Sequence, residues 1–225
     1  MTRLASTPPW LLARFAQGAI AVAGVAEVFR AVAVRAHHLH PSDAPSRDSG
    51  LGSMVFVYVM TGTFAVFLTW FSRCWANARA LSSETGTGTG TETESGTGTG
   101  TGTGTAMDAV TGSGTWAVVA WLVPVVNLWA PRRLVLAVDH ANAARGADQG
   151  RGDLLVNVWW SAWTGYAVVT VVSQTGQGTS MPLLVASGAL DIAAAVLAIL
   201  VIQRITAGQG AALRADPAVE PLTPS

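Results

Sequence analysis

The chain has 225 residues, of which 50% are hydrophobic and 12% are charged, and its formal net charge is zero. A soluble globular domain carries roughly 25% charged residues, so this composition excludes an ordinary soluble domain. The balanced charge provides no basic surface of the kind that binds nucleic acid, and we expect no nucleic-acid partner. The single cysteine, Cys74, excludes an internal disulfide and a cysteine-based zinc site.

Two apolar blocks predict a first pair of transmembrane helices, after a short N-terminal tail of residues 1–10. They cover residues 11–34 and 51–71, and the second block contains no charged residue. Both are long enough to cross a hydrocarbon core of about 30 Å. No cleavage site follows the first block, so we expect it to remain in the mature protein. With a cytoplasmic helical extension, this pair accounts for residues 11–81.

Residues 82–114 are predicted to be a disordered linker, because threonine and glycine alternate through most of the segment. Neither residue type is apolar, so an ordered strand would bury nothing that offsets the entropy lost on ordering. The C-terminal tail, residues 210–225, contains three prolines and is also predicted to be disordered.

A short third hydrophobic segment, residues 116–129, is interrupted by Pro124 and carries Asn127. As a helix it rises only about 21 Å, which is less than the hydrocarbon core of about 30 Å. Pro124 frees a backbone carbonyl, and the Asn127 amide could satisfy the break. This segment is therefore either re-entrant or, if a tilted helix continues past Pro131, a fifth span.

The remainder of residues 115–209 predicts an amphipathic stretch and a second transmembrane pair. The amphipathic stretch reaches about Arg145, and we expect Asp139 and His140 to lie on its surface. The last two spans are predicted over residues 154–173 and residues 183–202.

The distribution of arginine leaves two topologies open. The loop at residues 174–181 contains no arginine, whereas the other flanks of the last two spans carry several, so the positive-inside rule places this loop outside. A re-entrant third segment gives four spans with a cytoplasmic N-terminus and linker, and a fifth span puts both outside. Charge and length favour the first arrangement. The predicted fold is an all-α, multi-pass helix bundle in a bacterial plasma membrane.

Three charged residues fall inside the predicted spans: Glu27, Arg30 and Asp191. A charge in the bilayer centre costs about 2.5 to 3.5 kcal/mol on insertion scales and is a candidate for function. Glu27 and Asp191 lie about 10 and 12 Å from the outer ends of their helices, so contact between them is feasible. Two acids and one base can coexist if one acid stays protonated. We therefore predict an intramembrane polar cluster that is either a binding site or an ion pair fixing helix packing.

A group of histidines, His37, His38 and His40, lies near Asp43 and Asp48. These are donors that metals accept, but such close histidines cannot converge easily. We interpret them as part of a solvated, proline-containing loop, and we predict no metal and no cofactor.

Arginine and tryptophan mark the expected membrane boundaries. In the four-span topology, basic residues form a cytoplasmic band that attracts anionic headgroups by about 1 kcal/mol each; they are Arg73, Arg79, Arg132 and Arg133. Indole rings favour the headgroup zone, and six tryptophans lie near predicted span ends, namely Trp10, Trp70, Trp75, Trp116, Trp129 and Trp159.

Several motifs follow one another in a fixed order along the chain. The pattern aromatic-x-x-Arg-x-x-x-Asn-x-x-x-Leu begins at Trp70, and the pattern Pro-x-x-Asn-Leu-Trp-x-Pro begins at Pro124. A tryptophan pair and a terminal Arg-Ile-Thr-Ala-Gly-Gln element follow. This ordered set resembles one bacterial, mainly actinobacterial, membrane family, DUF4328, a domain of unknown function, over about residues 15–209. The resemblance implies a membrane location and no established activity. The structural residues that it implies are Arg73, Asn77, Pro124, Asn127, Trp129, Pro131, Trp159 and Trp160.

No nucleotide-binding loop, nucleophile elbow or metalloprotease motif is present in the sequence, so we expect a protein that is not an enzyme. The favoured hypothesis is a scaffold or modulator that contacts a membrane partner through its cytoplasmic arginine-rich face, with the lipid bilayer as its surroundings. The alternative is a small transporter or channel that uses Glu27, Arg30 and Asp191. A homo-oligomer is compatible with either function.

Overall fold

The computed structural model describes residues 9–39, 48–85, 121, 130–142, 149–175 and 181–214. Within them lie five helices and no strand: α1 (Trp10–Leu39), α2 (Asp48–Thr85), α3 (Ala130–Asn142), α4 (Gln149–Thr175) and α5 (Met181–Arg214). The predicted all-α fold is therefore confirmed for this part of the chain. The Thr-Gly repeat and, apart from Trp121, the third hydrophobic segment lie outside the described residues.

Four of the helices are long and apolar enough to cross a membrane, at Trp10–Ala33, Met54–Arg79, Gln149–Ser173 and Met181–Ala212. These are the four predicted spans. At most 22% of the most apolar stretch in any of them is buried. The exposed remainder is rich in large apolar side chains, which a soluble protein would not leave uncovered over such lengths. This pattern suits helices whose outer faces contact lipid.

Two helices extend further into polar sequence than predicted. Helix α1 continues to Leu39, so His37 and His38 are helical, and their placement in a loop was wrong. Between Pro9 and Pro41 the sequence contains no proline, which explains why the helix can extend this far. His40 lies outside the described residues. Helix α5 likewise continues to Arg214, past the apolar residues of the last span.

The chain divides into two compact units. Unit 1 consists of Met1–Pro9, Phe71–Gly152 and Arg204–Ser225, and unit 2 consists of Trp10–Trp70 and Asp153–Gln203. Unit 2 thus contains most of the four span helices. Unit 1 contains α3 and the C-terminal ends of α2 and α5.

Small residues bring the helices of unit 2 close together. A Cβ atom at Gly24 of α1 would meet the Ala195 Cβ of α5 at 3.8 Å, and one at Gly165 of α4 would meet Leu190 at 3.5 Å. Close approach at small residues is the usual way in which helices pack inside a membrane, where no hydrophobic effect drives helices together. This packing holds α1, α4 and α5 around the site described below.

The tryptophans near span ends are buried more often than predicted. Trp70, Trp75 and Trp159 are at most 5% exposed, whereas Trp10 is 46% exposed. The belt interpretation was therefore wrong for these three, because they pack against other rings. Trp70 lies 5.6 Å from Phe67 in unit 2, and Trp75 lies 6.2 Å from Phe71 in unit 1. Trp116 and Trp129 lie outside the described residues.

Candidate functional site

A pocket of about 370 Å³ lies between α1 and α5 in unit 2. Its described lining is mostly aliphatic, with Glu27 and Asp191 as the ionisable groups. Ligand pockets in proteins commonly enclose about 300 to 1,000 Å³, so this one suits a small ligand. The structure therefore brings two of the three predicted intramembrane charges to one pocket.

Glu27 is paired with Arg30 one turn further along α1. The Arg30 Nε donates to Glu27 Oε2 at 2.7 Å, and the Arg30 Nη2 donates to Glu27 Oε1. Glu27 is only 2% exposed. Tyr166 of α4 also donates to Glu27 Oε1, weakly, at 3.5 Å. The two contacts from Arg30 fix the orientation of the Glu27 carboxylate and balance its charge.

Arg30 is held from a second side by an aromatic ring. Its guanidinium carbon lies 5.4 Å from the ring centroid of Phe56 in α2, a distance at which cation–π attraction operates. The Arg30 side chain is nevertheless 43% exposed, so it borders the site and is not enclosed by it. The guanidinium of Arg30 is thus held by contacts with Glu27 of α1 and Phe56 of α2.

Asp191 of α5 lines the same pocket without a partner of this kind. Its Oδ2 atom is buried and makes no hydrogen bond to any residue that the structure describes. An unpartnered buried polar group costs about 1 to 3 kcal/mol, and more if it is charged. The three groups together contain one carboxyl more than the guanidinium can balance. A proton or a cation at Asp191 would restore neutrality.

A second ion pair, between Asp139 and Arg204, lies in unit 1. The Arg204 Nε lies 3.0 Å from Asp139 Oδ1 and 3.2 Å from Asp139 Oδ2, which links α3 to the end of α5. Asp139 is 4% exposed, so its predicted surface location was wrong. A Cβ atom at Gly152 would clash with both side chains of the pair and would lie 2.8 Å from Arg204 Cζ. The pair packs directly against Gly152 and has the character of a structural tether.

Gln209 forms a buried polar contact elsewhere in unit 1. It is fully buried, and its Nε2 donates to the backbone carbonyl of Cys74 at 2.9 Å. Asn77 Nδ2 donates to Gln209 Oε1 at 3.5 Å. Gln209 thus contacts both Cys74 and Asn77. These bonds join α2 to α5.

Sequence reasoning missed Asp139 and Gln209 as buried residues, although a signal existed for Asp139. The apolar residues of α3 include Val135 and Val138, and a stripe that follows helical spacing through them also contains Asp139 and Asn142. Both polar residues are buried. Gln209 had a similar signal, because Ile202, Ile205 and Thr206 precede it at helical spacing and are also buried.

The other residues implied by the motifs have diverse surroundings. Arg73 is exposed, and Pro131 is buried in the first turn of α3, where proline needs no amide hydrogen. Trp159 and Trp160 are both buried in unit 2, and Trp160 stacks on Trp163 at 5.0 Å between ring centroids. Pro124, Asn127 and Trp129 lie outside the described residues.

A metal site finds no support in the part of the chain that the structure describes. There, no three residues among histidine, cysteine, aspartate and glutamate are grouped closely enough to hold an ion. Cys74, the single cysteine, is buried.

Comparison with known proteins identifies the family and leaves the activity open. No curated protein and no solved structure is similar enough to this chain to count as a match. The model of one protein family, described as Domain of unknown function (DUF4328), matches residues 35–207. The expected range began about residue 15, so the match excludes most of α1, including Glu27 and Arg30. Because the match covers well over half of the chain, and four apolar helices accompany it, this protein belongs to the DUF4328 family and has the features of a multi-pass membrane protein.

Proposed function

We propose that the protein is a small, non-enzymatic transporter of the bacterial plasma membrane whose substrate occupies the pocket between α1 and α5. The observation that carries this proposal is the unpartnered Oδ2 of Asp191, among the described residues, beside the paired Glu27. Ionisable groups at membrane depth are costly and commonly mark ion or substrate pathways.

The charge balance of the pocket supports binding more than it supports a purely structural role. A structural ion pair needs one acid for each base, as Glu27 and Arg30 provide. Asp191 exceeds that need, and it lies in an open space of about 370 Å³ that helix packing could have filled. Cores and helix contacts are normally packed without such voids. A ligand or proton site gives a reason for both the third charge and the space.

The composition of the pocket supports transport over catalysis. Its described lining combines two carboxyl groups with aliphatic side chains and contains no serine, cysteine, lysine or histidine nucleophile. The two carboxyl groups also lack a neighbouring metal-ligand set in the described part of the chain. The pocket therefore offers groups that hold and release a charge.

Flux into proteoliposomes tests this function. Purified protein is reconstituted into vesicles, and uptake of radiolabelled tetramethylammonium, glutamate or glycerol is recorded. We expect a protein-dependent flux in at least one of these classes, and loss of most of it with Asp191→Asn. Asp153→Asn makes the same chemical change in α4 outside the pocket and should retain the flux.

A wild-type protein that gives no flux above empty vesicles with any probe would contradict the transport function. Equal flux from wild type and Asp191→Asn, both eluting as the same monodisperse species, would also contradict it. If Asp191→Asn does not fold, Asp191→Glu keeps the carboxyl group and should retain a measurable part of the flux.

A second candidate function is the scaffold or modulator favoured by the sequence. Its support is that three of the four arginines in the predicted cytoplasmic band are exposed, namely Arg73, Arg79 and Arg133. These could meet an acidic segment of a membrane partner, or anionic headgroups. If so, a partner that co-purifies with the wild-type protein from detergent extracts should be lost when Arg73 and Arg79 are replaced by glutamine. The flux should be unchanged in this variant. Retention of that partner by the double variant would exclude this surface.

A further inference from the structure

The unit 2 pocket carries a single unbalanced charge. Glu27 and Arg30 neutralise each other through two contacts, which leaves Asp191 as the group whose charge needs a partner. An ionised carboxylate is not tolerated alone in apolar surroundings. A proton is the simplest partner that can neutralise Asp191 when no cation is bound. A ligand that replaces this proton must bring one positive charge.

The pocket also has an apolar opening. Several of its lining residues are large, aliphatic and exposed, including Val32 (60%), Val185 (68%) and Ile192 (49%). All three lie on helices long and apolar enough to cross a membrane. Exposed aliphatic side chains at this position contact acyl chains, so a ligand that reaches the pocket from the bilayer must be apolar over most of its surface.

We propose that the pocket binds an amphiphilic monocation of the alkylammonium class, with its apolar part against Val32, Val185 and Ile192 and its charged group at Asp191. This inference rests on the proposed function and specifies its substrate class. As the cation enters, the Asp191 O–H bond breaks and a new bond forms between the proton and water or a buffer base, so one positive charge is exchanged for another at Asp191. No other covalent bond is made or broken.

Calcium and magnesium ions fit the pocket poorly. Calcium requires six to eight oxygen ligands, and magnesium keeps most of its water. Asp191 provides one carboxyl group, and the other carboxyl is already engaged by Arg30. An alkylammonium ion is weakly hydrated over its apolar part and needs one counter-charge. Charge and surface composition thus favour the same class of ligand.

The groups around Asp191 set how binding depends on pH. Glu27 and Arg30 of α1 and Tyr166 of α4 interact with it electrostatically, and they are already linked to one another. The Glu27–Arg30 pair is neutral as a whole, so Asp191 is the group that binds either a proton or the cation. Protons and the cation therefore compete for Asp191. The affinity for a permanently charged cation should therefore fall as the pH is lowered.

Calorimetry with octyltrimethylammonium tests the inference, because this cation carries no proton of its own. Purified protein in non-ionic detergent is titrated at weak buffering while an indicator dye records proton release. We expect saturable binding with about one proton released per cation, and binding about tenfold weaker or more in Asp191→Asn, as one charge-assisted contact is lost. Asp153→Asn is the matched control and should bind like wild type.

Matched ligands and a second variant keep the test decisive. Octanoate and 1-octanol have the same alkyl chain with a negative or a neutral head, and neither should release protons. Val185→Ala should weaken binding of the cation, whereas Val196→Ala, an equally simple change on α5 outside the pocket, should not. If Asp191→Asn fails to fold, two other comparisons test the inference. These are the preference of the wild-type protein for the cation over octanoate and 1-octanol, and the difference between Val185→Ala and Val196→Ala.

The outcomes separate this inference from the transport function. Binding of octanol or octanoate as tight as that of the cation, or cation binding without proton release, would overturn the inference. Flux of another charge class would leave the transporter in place and remove only the alkylammonium substrate. Cation binding with proton release but no flux would keep the pocket and remove transport.

Discussion

Each of the two units contains an ion pair with a buried acid, and the pairs are built differently. Glu27 and Arg30 are three residues apart on one helix, whereas Asp139 and Arg204 are 65 residues apart and join α3 to α5. Neighbours at that helical spacing meet as soon as the helix forms. The distant pair meets only when unit 1 has folded. The first pair can therefore serve a site without holding the fold together, and the second cannot.

The space beside the two pairs differs as well. Glu27 borders an open pocket that contains a third ionisable group, Asp191. Asp139 and Arg204 are packed against Gly152 so closely that a methyl group there would overlap both side chains. The Glu27–Arg30 pair has free space and a further charge beside it, so a ligand can bind there. The Asp139–Arg204 pair has no such space on its Gly152 side. From this contrast we expect ligand binding in unit 2 and a structural role for the ion pair in unit 1.

The largest expected effect is that of Gly152→Ala in unit 1. The added methyl group must displace the Asp139 carboxylate, the Arg204 guanidinium or both, and separation of a buried pair costs up to about 3 to 5 kcal/mol. Because Arg204 keeps 29% of its side chain exposed, we expect the lower part of that range. Unfolding in mixed detergent and denaturant micelles, followed by tryptophan fluorescence, measures the loss.

Gly150→Ala is the control for that substitution. Gly150 lies in the same first turn of α4, is exposed, and has nothing within 4 Å of an added Cβ atom. Alanine favours a helix over glycine by up to about 1 kcal/mol, so this variant should be as stable as wild type or slightly more so. Equal effects of the two substitutions would mean that the Asp139–Arg204 pair does not depend on Gly152.

Removing one acid from each pair sharpens the comparison directly. Asp139→Asn removes the ion pair that joins α3 to α5, and should lower the free energy of unfolding by about 3 kcal/mol. Glu27→Gln leaves Arg30 with its Phe56 contact and 43% exposure, so about 1 kcal/mol is expected. The same unfolding assay compares the two variants.

The double variant Asp139→Asn with Arg204→Gln should recover part of the loss, because neither charge then remains unpaired. Full additivity of the two single losses would show that these side chains do not act as a pair. A Glu27→Gln loss equal to or larger than that of Asp139→Asn would reverse the assignment of stability to unit 1.

The sequence was sufficient to predict the spans and the charges inside them. An uninterrupted apolar run, such as that of α2, has one stable solution in a membrane, and Glu27, Arg30 and Asp191 stand out against such runs. It was not sufficient for the polar contacts of unit 1, because Asp139 and Gln209 belong to polar stretches where burial depends on tertiary packing. Tryptophan burial was mispredicted for the same reason, since an indole at a span end suits both lipid headgroups and a protein interior.

A smaller effect is expected for Gln209→Leu. The substitution removes the donor to the Cys74 carbonyl and the acceptor for Asn77, while the apolar volume is roughly retained. The Cys74 carbonyl lies within α2 and keeps its helical hydrogen bond, so the loss of these two contacts costs about 0.5 to 1.5 kcal/mol each. Gln203→Leu is an identical change six positions earlier on α5 at an exposed site and should be close to neutral. A neutral Gln209→Leu would show that the contacts of Gln209 do not stabilise the protein.

The smallest expected effect has the opposite sign and concerns a second buried amide of unit 1. Asn142 is 2% exposed, yet its Oδ1 and Nδ2 have no hydrogen-bond partner among the described residues. Asn142→Val exchanges this unsatisfied amide for an apolar side chain of moderately larger volume, and should stabilise the protein by about 1 kcal/mol. The gain is limited because α5 passes close by: a Cβ atom at Gly208 would lie 3.5 Å from Asn142 Cβ. Destabilisation by more than about 1 kcal/mol in the unfolding assay would mean that the amide is satisfied after all. Gln209 and Asn142 carry the same functional group at similar burial, so opposite signs for their apolar replacements would establish that the partner, rather than burial itself, decides whether a polar group stabilises this unit.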